Sequence, residues 1–229
     1  MIVLVGLIAT LYGFCKERNE LRNLERIEIE FLDESSPFID LNTVNKLLIQ
    51  NKDSITSVGK ETLVLNKMES RLLANPMIKN VDVFVSIDGT LGVNIEQRKP
   101  IARISGSPDF YLDEDAKEMP LSKVHTARVP LITGTREVDY GGIRDLILKV
   151  NEDEFMRKSV VGFHLESNGD IKMKLRKYKF TVLFGQAKDI EKKFQKLKAF
   201  YKKAKQDALL TEYRLVNLKF KDQVVATKY

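Results

Sequence analysis

The stretch LVLNKMESRLLANPMIKNVDVFVSIDGTLGVNIEQRKPIARI, residues 63–104, holds a helix, a stop and a hairpin in that order. Asn66 reads as a helix N-cap with Glu69 three residues on, as in a capping box, and Leu65, Met68, Leu72 and Leu73 line one side. Asn75-Pro76 stops that helix, because proline disfavours helical geometry in the residue before it. Val81, Val83, Val85 and Ile87 then alternate up to Asp88-Gly89, read as a two-residue hairpin turn, and Leu91, Val93 and Ile95 alternate back down.

Toward the N-terminus, Arg26 to Leu32 (RIEIEFL) sets Ile27, Ile29 and Phe31 against charged neighbours, a strand with one wet face. Pro37 breaks it, and Leu41 to Asn51 follows with Leu41, Val44, Leu47 and Leu48 at helical spacing. The order strand, helix, helix, strand, strand predicts a small α+β unit with both helices on one face of a sheet.

Farther out, Met1 to Cys15 (MIVLVGLIATLYGFC) carries no charge, and charge begins at once with Lys16, Glu17 and Arg18. The run is a little short of the roughly 20 residues of a spanning helix. It lacks the basic start and small-x-small cleavage site of a signal peptide, and bulky Phe14 precedes Cys15 where a lipoprotein needs a small residue. The reading is a single membrane anchor (1–15) whose cytoplasmic start is truncated or very short, then a juxtamembrane linker (16–25); a buried strand–helix pair is the alternative. Taken literally, the basic flank after the run would keep the rest of the chain in the cytoplasm, a conflict that a truncated start removes.

Toward the C-terminus strands dominate. Ile101 to Ile104 and Phe110 to Leu112 are short runs, DEDAKEMPLS returns as a hairpin, and Val129 to Thr133 is a buried run closed by Gly134. Tyr140 to Val150 reads as an amphipathic helix through Ile143, Leu146, Ile147 and Val150. Val161 to Leu165, Ile171 to Leu175 and Phe180 to Phe184 form a meander with a hairpin turn at Asn168-Gly169, and Ala187 to Leu210 is a long helix. In the closing LVNLKFKDQVVATKY, residues 215–229, Val216, Leu218 and Phe220 alternate with Asn217, Lys219 and Lys221, which predicts a terminal edge strand with unpaired backbone groups.

Candidate chemistry is sparse. The 229 residues are 43% hydrophobic and 31% charged, a globular balance, and one cysteine rules out an internal disulfide framework or a multi-cysteine metal site. Asp113, Glu114 and Asp115 fall on a predicted hairpin tip, where solvated acids are common. His125 and His164 lie far apart in sequence, and no phosphate-binding glycine motif occurs. The chain therefore reads as a non-enzyme with no catalytic residue, metal or cofactor. Between residues 170 and 205, thirteen Lys and Arg face three acids, a local charge of +10. The plain reading is a solvated face, followed by attraction to acidic partner segments or an anionic membrane. A basic cytoplasmic nucleic-acid-binding protein is the alternative function.

The helix with Met68-Glu69 and Leu72, then Asn75-Pro76, the Val81/Val83 strand and the exit Glu96-Gln97-Arg98-Lys99-Pro100 together resemble the POTRA domain of the bacterial division family FtsQ (DivIB). YLDEDAKEMPLS…ARVPLITG is similar to that family's β-domain, so the resemblance runs over roughly residues 26–227. It implies a POTRA-like domain (26–98) and a mainly β-domain (99–229) with a long C-terminal helix and a terminal edge strand. The implied role is a divisome scaffold on the extracytoplasmic side of the inner membrane, recruiting partners to the septum and helping to regulate wall synthesis. The implied partners are small bitopic FtsB-like and FtsL-like proteins docked by strand addition, further divisome members through the POTRA domain, and no nucleic acid. By match to LKFKDQVVA, the partner-binding residues are Lys219, Phe220, Asp222 and Gln223, against a solvated edge guarded by its lysines as the plainer reading.

Overall fold

The computed structural model describes residues 6–8, 10–14, 26–33, 37–49, 62–135 and 140–229. It is an α+β structure with a large sheet, divided into one compact unit of Met1–Arg98 with Ser122–Thr126 and another of Lys99–Leu121 with Ala127–Tyr229.

The first unit runs β1 (Arg26–Phe31), α1 (Leu41–Leu48), α2 (Thr62–Leu73), β2 (Ile78–Val85) and β3 (Thr90–Gln97). β3 lies central, with β1 parallel on one side and β2 antiparallel on the other. Val44 and Leu48 of α1, and Met68 and Leu72 of α2, are buried, as are Val81, Val83, Leu91, Val93 and Ile95 of the sheet. Local polar chemistry sets the ends. The Asp40 carboxylate accepts the Thr43 N–H at 2.6 Å to start α1, and the Asn75 side chain accepts the Met77 N–H at 2.9 Å just past α2.

Several expectations shift here. Helix α2 begins at Thr62, so Asn66 lies inside it rather than at its cap, and the Glu69 carboxylate accepts the Val83 N–H at 3.1 Å, tying helix to sheet. Leu41 and Leu73 are exposed, because each lies off the buried stripe of its short helix. Helix α1 closes at Leu48, three residues before the expected end. The hairpin holds three residues rather than two: Ser86 N–H donates to Thr90 O, Gly89 N–H donates to Ser86 O, and Gly89 takes φ +88°. Asn168-Gly169 repeats the construction, with Glu166 N–H on Asp170 O, Gly169 N–H on Glu166 O and φ +82° at Gly169.

Residues 6–8 and 10–14 are helical, with Leu7, Ile8, Leu11, Tyr12 and Phe14 exposed. Among the described residues, no helix is long and apolar enough to cross a membrane. The remainder of the 1–15 anchor expectation, Cys15 included, and the 16–25 linker lie outside the described residues.

The second unit runs β4 (Pro100–Ile104), β5 (Phe110–Asp113), β6 (Glu118–Pro120), β7 (Leu131–Gly134), α3 (Tyr140–Glu152), α4 (Glu154–Ser159), β8 (Val160–Leu165), β9 (Ile171–Leu175), β10 (Thr181–Gly185), α5 (Ile190–Gln206), β11 (Tyr213–Asn217) and β12 (Val225–Lys228). Nine strands form one sheet in the order β12-β11-β10-β9-β8-β7-β4-β5-β6. Both β7–β8 and β10–β11 are parallel neighbours joined through helices. Each crossover steps toward the β12 end, and β8 and β10 run the same way, both being antiparallel to β9. Right-handed crossovers of that kind put their helices on the same face. One buried cluster accordingly gathers Ile143, Leu146, Ile147 and Val150 of α3, Met156 of α4 and Phe194, Leu197 and Ala204 of α5 with the sheet.

The expected terminal strand divides in two. Val216 and Leu218 are fully buried as the alternation required, but Phe220 is 45% exposed and β11 ends at Asn217. β11 pairs on both sides, parallel with β10 and antiparallel with β12, so it is interior and β12 is the edge. The alternation fails after Leu218 because the Asn217 side chain accepts the Lys219 N–H at 2.9 Å, turning the chain out of the ladder.

Candidate partner-docking edge

β12 comes last in the sheet order and, among the described residues, pairs only with β11, matching Leu215 with Thr227, Val216 with Ala226 and Asn217 with Val225. Tyr229 N–H donates to Glu212 O at 3.1 Å, so this N–H points inward, toward the β11 side. Backbone groups alternate along a strand, which turns the N–H groups of Ala226 and Lys228 outward. That edge is a row of backbone donors and acceptors on which an added strand can pair. Exposed apolar side chains stand beside it: Val225 at 40% and Tyr229 at 75%.

The expected partner-binding residues all lie in the segment between β11 and β12, off the edge itself. Asp222 and Gln223 are exposed, and Phe220 presents its ring partly to solvent. Lys219 is engaged, its ammonium donating to the Asp170 carboxylate at 2.7 Å while its stem lies over Gly185. A Cβ added at Gly185 would come within 2.8 Å of the Lys219 Cγ, so the glycine makes room for this side chain. Asp170, in the β8–β9 hairpin, is the more buried partner of the pair.

Sequence reasoning missed Lys196. From α5 its ammonium donates to the carbonyls of Leu218 at 3.2 Å, Phe220 at 2.6 Å and Lys221 at 3.3 Å. No spacing rule reveals such a contact between a helix and a distant turn. The Asx turn at Asn217 was the one local signal that the strand would break there.

The basic run is partly absorbed inside the unit. Lys172 pairs with Glu166, Lys198 with Asp153, and the Lys193 ammonium stands 4.5 Å over the Phe184 ring, where burial pulls its pKa down. Burial would push the Asp153 carboxyl up, but the Lys198 ammonium and the Met156 N–H outweigh it and hold it below the usual carboxylate range. Three lysines of the run, Lys198, Lys202 and Lys205, line a groove of about 570 Å³ together with Phe155, Tyr201 and Gln206. A neighbouring hollow shares Phe155 and Tyr201 and adds Lys158, Lys177 and Tyr178. The Tyr178 and Tyr201 hydroxyls lie 2.8 Å apart, and that hydrogen bond, with burial, pushes the Tyr178 phenol up to about 12.

The other candidates resolve into structural roles. The Asp113 carboxylate is buried and accepts the Asp115 N–H at 2.9 Å and the Lys117 N–H at 2.7 Å, which fixes the β5–β6 turn. His164 Nδ1 lies 3.0 Å from Thr133 Oγ1, and His125 packs edge-on against Phe38 at 5.1 Å. Among the described residues, no group of His, Cys, Asp or Glu could hold a metal ion.

The second unit is a β-domain whose nine-stranded sheet ends at β12, and residues 99–227 match the family model described as FtsQ/DivIB, C-terminal related. The chain belongs to the FtsQ/DivIB C-terminal-related family. It is similar to the cell division protein FtsQ of Geotalea daltonii, 26% identical over 220 residues that cover 90% of this chain and 75% of the relative.

Proposed function

We propose that this protein is a non-enzymatic, membrane-anchored division scaffold that docks FtsB-like and FtsL-like partners by strand addition to β12. The family match over residues 99–227 and the likeness to a relative named as a cell division protein support the division role. The observation that carries the docking mode is the outer edge of β12, with outward N–H groups at Ala226 and Lys228 and, among the described residues, no strand beyond it. Main-chain bonds give affinity in that mode, while side chains of the flanking segment give selectivity. On this reading Lys219, Phe220, Asp222 and Gln223 flank the docked strand, and the lysine-rimmed groove at Phe155 and Tyr201 favours an acidic stretch in the partner.

The order β-α-α-β-β in the first unit supports a POTRA-type domain for residues 26–98, and the uncharged run Met1 to Cys15 supports a single anchor with the bulk of the chain extracytoplasmic. Binding of the full chain to the co-expressed FtsB-like and FtsL-like pair of the same bacterium tests the docking mode. Ala226→Pro should weaken binding at least about tenfold while circular dichroism stays native. A folded Ala226→Pro chain that binds like wild type overturns it.

A further inference from the structure

We infer that Lys196 is a positioning residue that sets where the docking strand starts; this rests on the strand-addition reading. An ammonium group has three donors and no acceptor. In Lys196 they meet three carbonyls of one irregular segment, those of Leu218, Phe220 and Lys221. Lys219 sits within that segment and its own ammonium donates to Asp170. The connection into β12 is thus held at two points, on α5 by Lys196 and on the β8–β9 hairpin by Lys219.

The hold has a consequence for the edge. β12 is short, spans Val225–Lys228 and has one neighbour, so its own ladder fixes it weakly. A slip of one residue exchanges the two faces of a strand. Val225 and Thr227, now exposed, would trade faces with half-buried Ala226, and the outward N–H groups would turn inward. The path of residues 218–224 decides between these registers, and Lys196 fixes that path. The buried residues of α5, Phe194, Leu197 and Ala204, do not depend on the Lys196 ammonium, so its removal loosens the segment without dissolving the helix.

The test removes the ammonium and then restores it. In the full chain, Lys196→Met should raise hydrogen exchange across residues 218–228, leave the amides of β8–β10 protected, and weaken binding of the co-expressed FtsB-like and FtsL-like pair about tenfold. Lys196→Cys should behave the same way. Treatment with 2-bromoethylamine, in which the thiolate displaces bromide and forms a C–S bond, restores an ammonium at nearly the reach of lysine and should recover both protection and binding. Wild type treated in parallel accounts for Cys15. Unchanged exchange at residues 218–228 in Lys196→Met overturns the inference whatever the partner does. Raised exchange with native binding also overturns it, and Ala226→Pro then separates the causes: lost binding keeps the docking edge without the positioning role, whereas native binding removes both.

Discussion

The nine-stranded sheet ends in two unlike strands. At one end β6 has three residues, a fully buried Met119 and, in Pro120, a residue with no N–H to offer. At the other, β12 has four residues, no proline and outward donors at Ala226 and Lys228. Even the lysine on β12 is drawn away from the edge. Its ammonium pairs with Glu212 at 2.6 Å and lies 6.0 Å from the centre of the Tyr213 ring, back over the interior neighbour. Lysines and prolines are ordinary guards of a free edge. The contrast sets an edge that has lost a donor to proline against one that keeps its donors.

The largest way to break this contrast is to unfasten the β12 end from below. Leu218 is fully buried and its N–H donates to Leu183 O at 2.9 Å. Leu218→Ala should cost about 2–5 kcal/mol, read as a lower urea midpoint, and should free β12 to exchange. A midpoint equal to wild type would mean that the closing segment is not packed as described.

Next in size is a swap of guards. Ala226→Pro removes an outward donor and should cut partner binding at least about tenfold, whereas Pro120→Ala restores a donor at β6 and should leave binding unchanged. If both substitutions changed binding equally, the two edges would not differ in the way proposed.

Lys219→Glu comes third. It sets a carboxylate beside the largely buried Asp170 and should lower stability by about 1–2 kcal/mol, measured by urea denaturation. Recovery in the double variant Lys219→Glu with Asp170→Lys would confirm the pair, and no loss in the single variant would argue that it is idle. Lys228→Met should do least. The ammonium is solvent-exposed and its Glu212 partner raises its pKa, so the urea midpoint should hold while the salt dependence of binding weakens. A clear drop in midpoint would show that Lys228 anchors the edge rather than merely lying over it.

Much of the fold was legible. The alternation of Val81, Val83, Leu91, Val93 and Ile95 and the burial of Leu72 follow from period and phase alone, and the structure buries each of them. The meander through Asn168-Gly169 was equally plain, since only a few residue types suit a left-handed turn position. The site was less legible. Alternation from Val216 to Phe220 predicted one strand, because periodicity cannot register a side chain such as Asn217 capturing a backbone N–H and turning the chain. The four residues 225–228 are too few to show a period of their own. Lys196 and Asp170 act on the last turn from positions 22 and 49 residues away from their partners, a separation that only the folded chain brings together.

The place of β7 bears on how the sheet assembles. The runs β4–β5–β6 and β8–β9–β10 are each made of sequence neighbours paired antiparallel, so each can zip up locally. β7 joins them, lying parallel to β4 on one side and to β8 on the other, and closing both seams brings together residues far apart in the chain. The two meanders should therefore form early, with insertion of β7 as the slow step that turns two small sheets into one. Ile132, almost fully buried at the centre of β7, is the probe. Ile132→Val should cost about 0.5–1.5 kcal/mol and show much of that loss as slower refolding in stopped-flow traces, whereas a loss confined to faster unfolding would place β7 insertion after the barrier.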